Sequence, residues 1–231
     1  MTPTEGVIGE AWGHYKAHWR HLLPIALVVY VAIAIIGALL TLVLGWFGAL
    51  VAAIISLVGL FWVQGALVKA VEDIRDGRAD LSLGETFDRV RPQLGSIIVA
   101  GLLAGLGIVV GLVLLIVPGL VLMTWWAVII PVVVLEGSSA GAAFSRSREL
   151  VRGYGWNVFG VIVLAILVLL GFEIVLSIVL SPLDGWLQSL VSNIVSGTLT
   201  TPFIALVLTL LYFRLHQAKS QPADPAPVTT T

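Results

Sequence analysis

The chain has 231 residues, of which 59% are hydrophobic and 11% charged, and its mean hydropathy is +1.08. Soluble domains hold about 45 to 50% apolar and 25% charged residues, so a water-soluble globule is excluded. A formal net charge of -1 gives no overall bias toward nucleic acid, and the lack of cysteine excludes a disulfide framework, a thiolate metal site and a cysteine nucleophile.

From the N-terminus, Thr2, Pro3 and Glu5 read as N-cap, first-turn proline and capping-box glutamate of a short amphipathic helix with Ile8, Ala11, Trp12, Tyr15 and Trp19 on one face. An apolar run follows at 22–44. It exceeds the 7 to 15 residues of a signal-peptide core, so it is expected to stay in the mature protein. Crossing about 30 Å of hydrocarbon takes about 20 mostly apolar residues, since each adds 1.5 Å. Five further stretches meet that length: 47–68, 96–117, 120–135, 158–180 and 194–213. Gly45-Trp46, Pro118-Gly119 and 181–185 read as tight turns, and Pro131 and Pro202 as kinks. Polar stretches part the second run from the third and the fourth from the fifth, and the span from Glu72 to Arg91 reads most simply as a solvated loop. The tail 217–231, rich in Pro, Ala and Thr, has too little apolar surface to offset the entropy of ordering and reads as disordered, leaving residues 1–216 as one membrane domain.

All twelve Lys and Arg fall before the first run, between the second and third, between the fourth and fifth, or after the sixth. Cations resist translocation, which places both termini in the cytoplasm of a multi-pass cell-membrane protein, as in a bacterial inner membrane. Trp46, Phe47 and Trp186 then lie at the outer turns, and Trp12, Trp19 and Trp156 at the inner side, at headgroup level.

The cytoplasmic segments share a pattern. Ser82 stands three residues before Glu85, with Leu83, Phe87, Val90 and Leu94 in one stripe; a third copy runs from Ser138 with Ala140, Ala143, Phe144, Leu150 and Val151 apolar. Gly9, Gly84 and Gly141 align, as do Trp12, Phe87 and Phe144, then Lys16, Arg91 and Arg148. The fold class expected is therefore all-α: six transmembrane helices plus three interfacial amphipathic helices in a threefold repeat. Chance similarity among basic amphipathic segments is the alternative. Lys16, Arg20, Arg89, Arg91, Arg146, Arg148 and Arg152 are the candidate contacts to anionic lipid headgroups.

From Val117, Pro118 and Gly119 through Trp125, Trp126, Pro131 and Glu136-Gly137 to Phe144, Ser147, Leu150, Arg152, Gly153 and Trp156, the chain resembles the membrane domain attached to some bacterial glycerophosphodiester phosphodiesterases, and related stand-alone bacterial membrane proteins. The resemblance implies a six-helix membrane module serving envelope or lipid-related partners. Phosphodiesterase activity in the fused proteins belongs to a separate barrel domain, so the enzyme activity does not transfer.

Glu173 is the one ionisable residue well inside an apolar run. A charge at mid-membrane costs at least about 2.5 to 3.5 kcal/mol, so it is a candidate transport or proton site. Its position about 25 Å beyond Trp156 also lets it reach the outer interface, where Asn193, Ser196 or Ser177 would share its hydrogen bonds. His14, His18 and His21 have the spacing of one helix face, but no carboxylate or cysteine completes a metal set, so no metal or cofactor is expected. Gly101, Gly105, Gly107 and Gly111 permit close helix packing, within the monomer or in self-association. No membrane Ser or Thr has a base beside it, which argues against an intramembrane hydrolase. The expected function is a non-catalytic integral membrane module that binds lipids or protein partners, with a small-molecule or lipid transporter or channel as the alternative.

Overall fold

The computed structural model describes residues 4–75, 81–183 and 185–220. Within them the elements are α1 (Val7–Arg75), α2 (Leu83–Val90), a 3-10 turn (Arg91–Gln93), α3 (Leu94–Leu114), α4 (Ile116–Trp125), α5 (Ile129–Glu136), α6 (Ala140–Val151), α7 (Gly155–Leu180) and α8 (Gly185–Ser220). Five helical runs are long and apolar enough to cross a membrane: α1, Leu83–Leu114, Ile116–Glu136, α7 and α8.

The first of these is not one rod. Its backbone leaves helical geometry at His18 (φ -120°, ψ 20°) and at Gly45 (φ 58°, ψ -134°), which divides α1 into arms 7–17, 19–44 and 46–75. Gly45 supplies the positive φ that the expected reversal needs, at no steric cost to glycine. The two longer arms then lie side by side, so close that a Cβ on Gly48 would overlap the Leu40 carbonyl.

The reversal expected at Pro118-Gly119 lies earlier, at Leu115 (φ -156°, ψ 127°). Pro118 falls in the first turn of α4, where its missing N–H has no helical partner to lose. The expected fourth helix is broken between Trp125 and Ile129. Pro131 accounts for that break: it removes the N–H that would bond to the carbonyl of Ala127. Pro202 does not interrupt α8, which starts at Gly185, before the expected 194, and continues to Ser220. The first four residues of the tail expected to be disordered are thus helical, and 221–231 lie outside the described residues.

The expected solvated loop from Glu72 to Arg91 is corrected at its start, while the amphipathic helix expected from Ser82 is present. Helix α1 continues to Arg75, and Asp73 is buried with its Oδ2 accepting the Leu81 N–H at 3.2 Å. At the other end α2 carries a full capping box: Ser82 Oγ accepts from the Glu85 N–H at 3.3 Å, and Glu85 Oε2 accepts from the Ser82 N–H at 2.9 Å. Hydrogen bonds from Ser82, side chain first and backbone second, hold the Glu85 carboxyl below its ordinary 4.5. A carboxyl depressed by folding adds stability above its unfolded value and loses it as pH falls through the folded one. Ser82→Ala should therefore lower the thermal midpoint at neutral pH, and its difference from the wild type should shrink on acidification below that range. A pH-independent difference would rule out the carboxylate as the partner.

The other two amphipathic starts shift slightly. For α6 the N-cap is Ser139, whose Oγ accepts from the Ala142 N–H at 3.4 Å, rather than Ser138. Glu5 precedes the helix that begins at Val7, and Thr2 and Pro3 lie outside the described residues.

Burial is concentrated at the end of the bundle that carries the cations. The core draws on the stretches 63–74, 128–134 and 203–215, on Leu22, Ile25, Ile97, Ala100, Val158 and Val161 of the other long segments, and on Ala11, Val90, Ala143 and Leu150 of the three short amphipathic helices. Toward the opposite end, Leu42, Val43, Val113, Leu114, Ile178 and Val179 are all exposed. Lipid tails are as apolar as leucine, so helix surfaces facing hydrocarbon gain little by packing together, whereas surfaces near water must be covered.

Ala11, Thr86 and Ala143 are each fully buried on their short helices. Each long segment that follows is entered through a residue of similar geometry: His18 (φ -120°, ψ 20°), Gln93 (φ -98°, ψ -4°) and Tyr154 (φ -119°, ψ 14°). The long helix that follows begins its buried stripe at Leu22, Ile97 or Val158, each at zero exposure.

Candidate functional site

The three short helices, the belt, each set an aromatic ring against a neighbouring helix. Trp12 sets its ring edge-on to Phe203 of α8, with centroids 6.2 Å apart and planes at 77°. Phe87 does so against Trp62 of α1 at 5.4 Å and 81°, and Phe144 against Trp126 at the end of α4 at 4.9 Å and 82°. The edge of one ring is positive and the face of the other negative, which favours this arrangement. A side-chain to backbone hydrogen bond accompanies each joint: Tyr15 OH to the Leu199 carbonyl at 3.0 Å, Trp62 Nε1 to the Phe87 carbonyl at 3.4 Å, and Ser147 Oγ to the Trp125 carbonyl at 2.8 Å.

The cations expected at headgroups occupy the outside of that belt, with one exception. Lys16, Arg20, Arg89, Arg91, Arg148 and Arg152 are exposed. The ammonium of Lys16 lies 6.0 Å from the Trp12 ring, and the Arg20 and Arg148 guanidinium groups lie 5.4 and 4.2 Å from Trp19 and Trp125. Arg146 is instead turned inward. Its Nε donates to both oxygens of Glu136 at 3.1 Å, and its terminal nitrogen to Glu149 at 3.0 Å. Glu136 also accepts from Tyr212 OH at 2.9 Å. This cluster joins α5, α6 and α8 and is not legible in the sequence, because Tyr212 sits in an apolar run and Glu136 looks like a helix-end charge.

Glu173 finds one of its three expected partners, Ser196, whose Oγ donates to Glu173 Oε1. Ser177 and Asn193 bond to carbonyls of their own helices, at Ile174 and Ser189. The amide of a glutamine can accept the same hydrogen bond, so Glu173→Gln should leave the thermal midpoint unchanged. Glu173→Leu strands the Ser196 hydroxyl and should cost about 1 kcal/mol. A Glu173→Gln protein that folds normally yet fails to complement a deletion strain would instead assign the carboxylate a proton-binding role.

His14 and His18 stack with ring centroids 5.9 Å apart, and the backbone leaves helical geometry at His18, before His21. His18 Nδ1 lies 3.2 Å from the His14 carbonyl, and His14 lies 3.9 Å from Glu10. Among the described residues no group of three His, Asp or Glu side chains is placed to hold a metal.

No family model, no curated protein and no solved structure matches the chain.

Proposed function

We propose that the chain is a non-catalytic membrane module whose belt of basic amphipathic helices engages lipid at the cytoplasmic face of the cell membrane. Counting the two long arms of α1 separately gives six spans, and grouping each short helix with the pair that follows gives three repeats. The observation that carries the reading is the recurrent ring-on-ring contact of the short helices, beside which Lys16, Arg91 and Arg148 stay exposed at positions that align in the sequence. Basic groups beside exposed indoles are suited to anionic headgroups. The resemblance to phosphodiesterase-associated membrane domains supports the same direction, toward lipid-related envelope partners, with other membrane proteins or a second copy as further partners.

Transport is less well supported. A pathway needs polar lining, whereas the centre of this bundle is built from residues such as Val63, Leu67, Val132 and Leu206. Hydrolysis of glycerophosphodiesters is not expected from the purified chain. Turnover abolished by a point substitution in this chain would overturn that.

The test is lipid analysis of protein extracted from native membranes. Anionic phospholipid should be enriched over the bulk membrane, and parity with the bulk would count against a lipid-binding belt. Orientation is checked separately with single cysteines at Ser181 and Ser220. A membrane-impermeant thiol reagent applied to intact cells should label Ser181→Cys and spare Ser220→Cys, and the reverse pattern would invert the topology.

A further inference from the structure

One joint of the belt departs from the regularity of the other two. Six positions lead from Lys16 to Leu22 and from Arg91 to Ile97, but ten lead from Arg148 to Val158. The additional residues form the turn around Gly153, which has a φ of 93°. Beside this turn a groove of about 670 Å³ opens between α4 and α7. Leu120, Val121 and Thr124 line it from α4, and Trp156, Asn157 and Phe159 from α7. At the junction of α1 with α8, by contrast, Gly197 lies directly against the Tyr30 ring.

Apart from Thr124 and Asn157 the side chains lining the groove are apolar or aromatic, and two arginines adjoin lining residues at one end. Trp125, which also lines it, carries the Arg148 guanidinium at 4.2 Å from its ring, and the exposed Arg152 directly precedes Gly153, another lining residue. Among the described residues neither arginine lies within ion-pair distance of a carboxylate, in contrast to Arg146 on the same helix. The indole holds Arg148 in place, so less side-chain freedom remains to be lost when an anion is bound. From Trp125 outward, α4 offers about 12 Å of apolar wall as far as Val117.

We propose that this groove binds one anionic phospholipid, with its phosphate at Arg148 and Arg152 and an acyl chain laid along α4 toward Val117. The inference rests on the reading of the belt as lipid-facing. It deepens that reading by naming one site with one stoichiometry, where a generally basic belt would gather lipids loosely.

The experiment is native mass spectrometry of the full chain released from neutral detergent, titrated with phosphatidylglycerol, with phosphatidylcholine of the same chains, and with sodium phosphate alone. The wild type should retain a single phosphatidylglycerol in preference to phosphatidylcholine, and phosphate alone should not compete. Replacing both cations, Arg148→Gln with Arg152→Gln, should weaken phosphatidylglycerol binding about tenfold and level the two headgroups. Val121→Trp, which fills the groove and leaves the cations, should remove the retained lipid of either headgroup. Lys69→Gln, on α1 and paired with Glu72 rather than part of the belt, should leave it in place. Size-exclusion profiles and thermal midpoints of all variants identify any that fail to fold. Lipid retained equally by the wild type, the Arg148/Arg152 variant and Val121→Trp would overturn the groove while leaving the belt reading intact. Lack of any preference for the anionic headgroup in the wild type would overturn both.

Discussion

Gly48→Leu should be among the most damaging single substitutions in this protein. The Cβ would be driven into the Leu40 carbonyl of the neighbouring arm, a backbone group that cannot rotate aside. Overpacking costs about 1 to 3 kcal/mol where side chains can adjust, and this site should lie at or above the top of that range. Gly37 provides the control on the same pair of arms. A Cβ there would lie 3.7 Å from that of Ala52, an ordinary contact, so Gly37→Ala should be neutral or slightly stabilising. Thermal unfolding in detergent, followed by circular dichroism, separates the two. Equal midpoints for Gly48→Leu and Gly37→Ala would show that the arms do not pack at Gly48.

The features readable from sequence are those set by local chemistry. Five long apolar helices follow from hydropathy, the reversal at Gly45 from glycine's access to positive φ, and the start of α2 from the Ser82 and Glu85 pair. Features that depend on tertiary partners are not readable. Leu115 carries no turn signal, and the chain reverses there because Gly111 and Gly119 let α3 and α4 approach with backbone near backbone. In the sequence Asp73 looks like part of a solvated loop, but its carboxylate is occupied by the Leu81 N–H. The inward turn of Arg146 depends on Glu136 and Tyr212, which are remote from it along the chain. Of the candidate site residues, the exposed cations are legible because charge on an amphipathic helix must face outward. The groove is not, since it arises from an added turn and a broken helix meeting in space.

Phe144→Ala should be the second severe change, and its coupling tests the threefold reading of the belt. A fully buried phenylalanine loses about 3 to 5 kcal/mol on truncation. Phe144 is half-buried, so about 2 kcal/mol is expected, together with loosening of α6 from Trp126. The more informative quantity is the interaction free energy from a double-mutant cycle with Trp126→Ala, which should be about 0.5 to 1.5 kcal/mol for an edge-to-face pair. If the belt is built of three equivalent joints, cycles for Phe87 with Trp62 and for Trp12 with Phe203 should give couplings of the same sign and similar size. A cycle between rings of different joints, Phe87 with Trp126, should give a value within about 0.5 kcal/mol of zero, because separated sites without shared partners act additively. The Trp12 pair has the widest centroid separation, 6.2 Å, and should show the weakest of the three couplings. Coupling confined to one pair would mean that the aligned aromatic residues do not act as equivalent joints, and the repeat would then describe the sequence without describing how the module holds together.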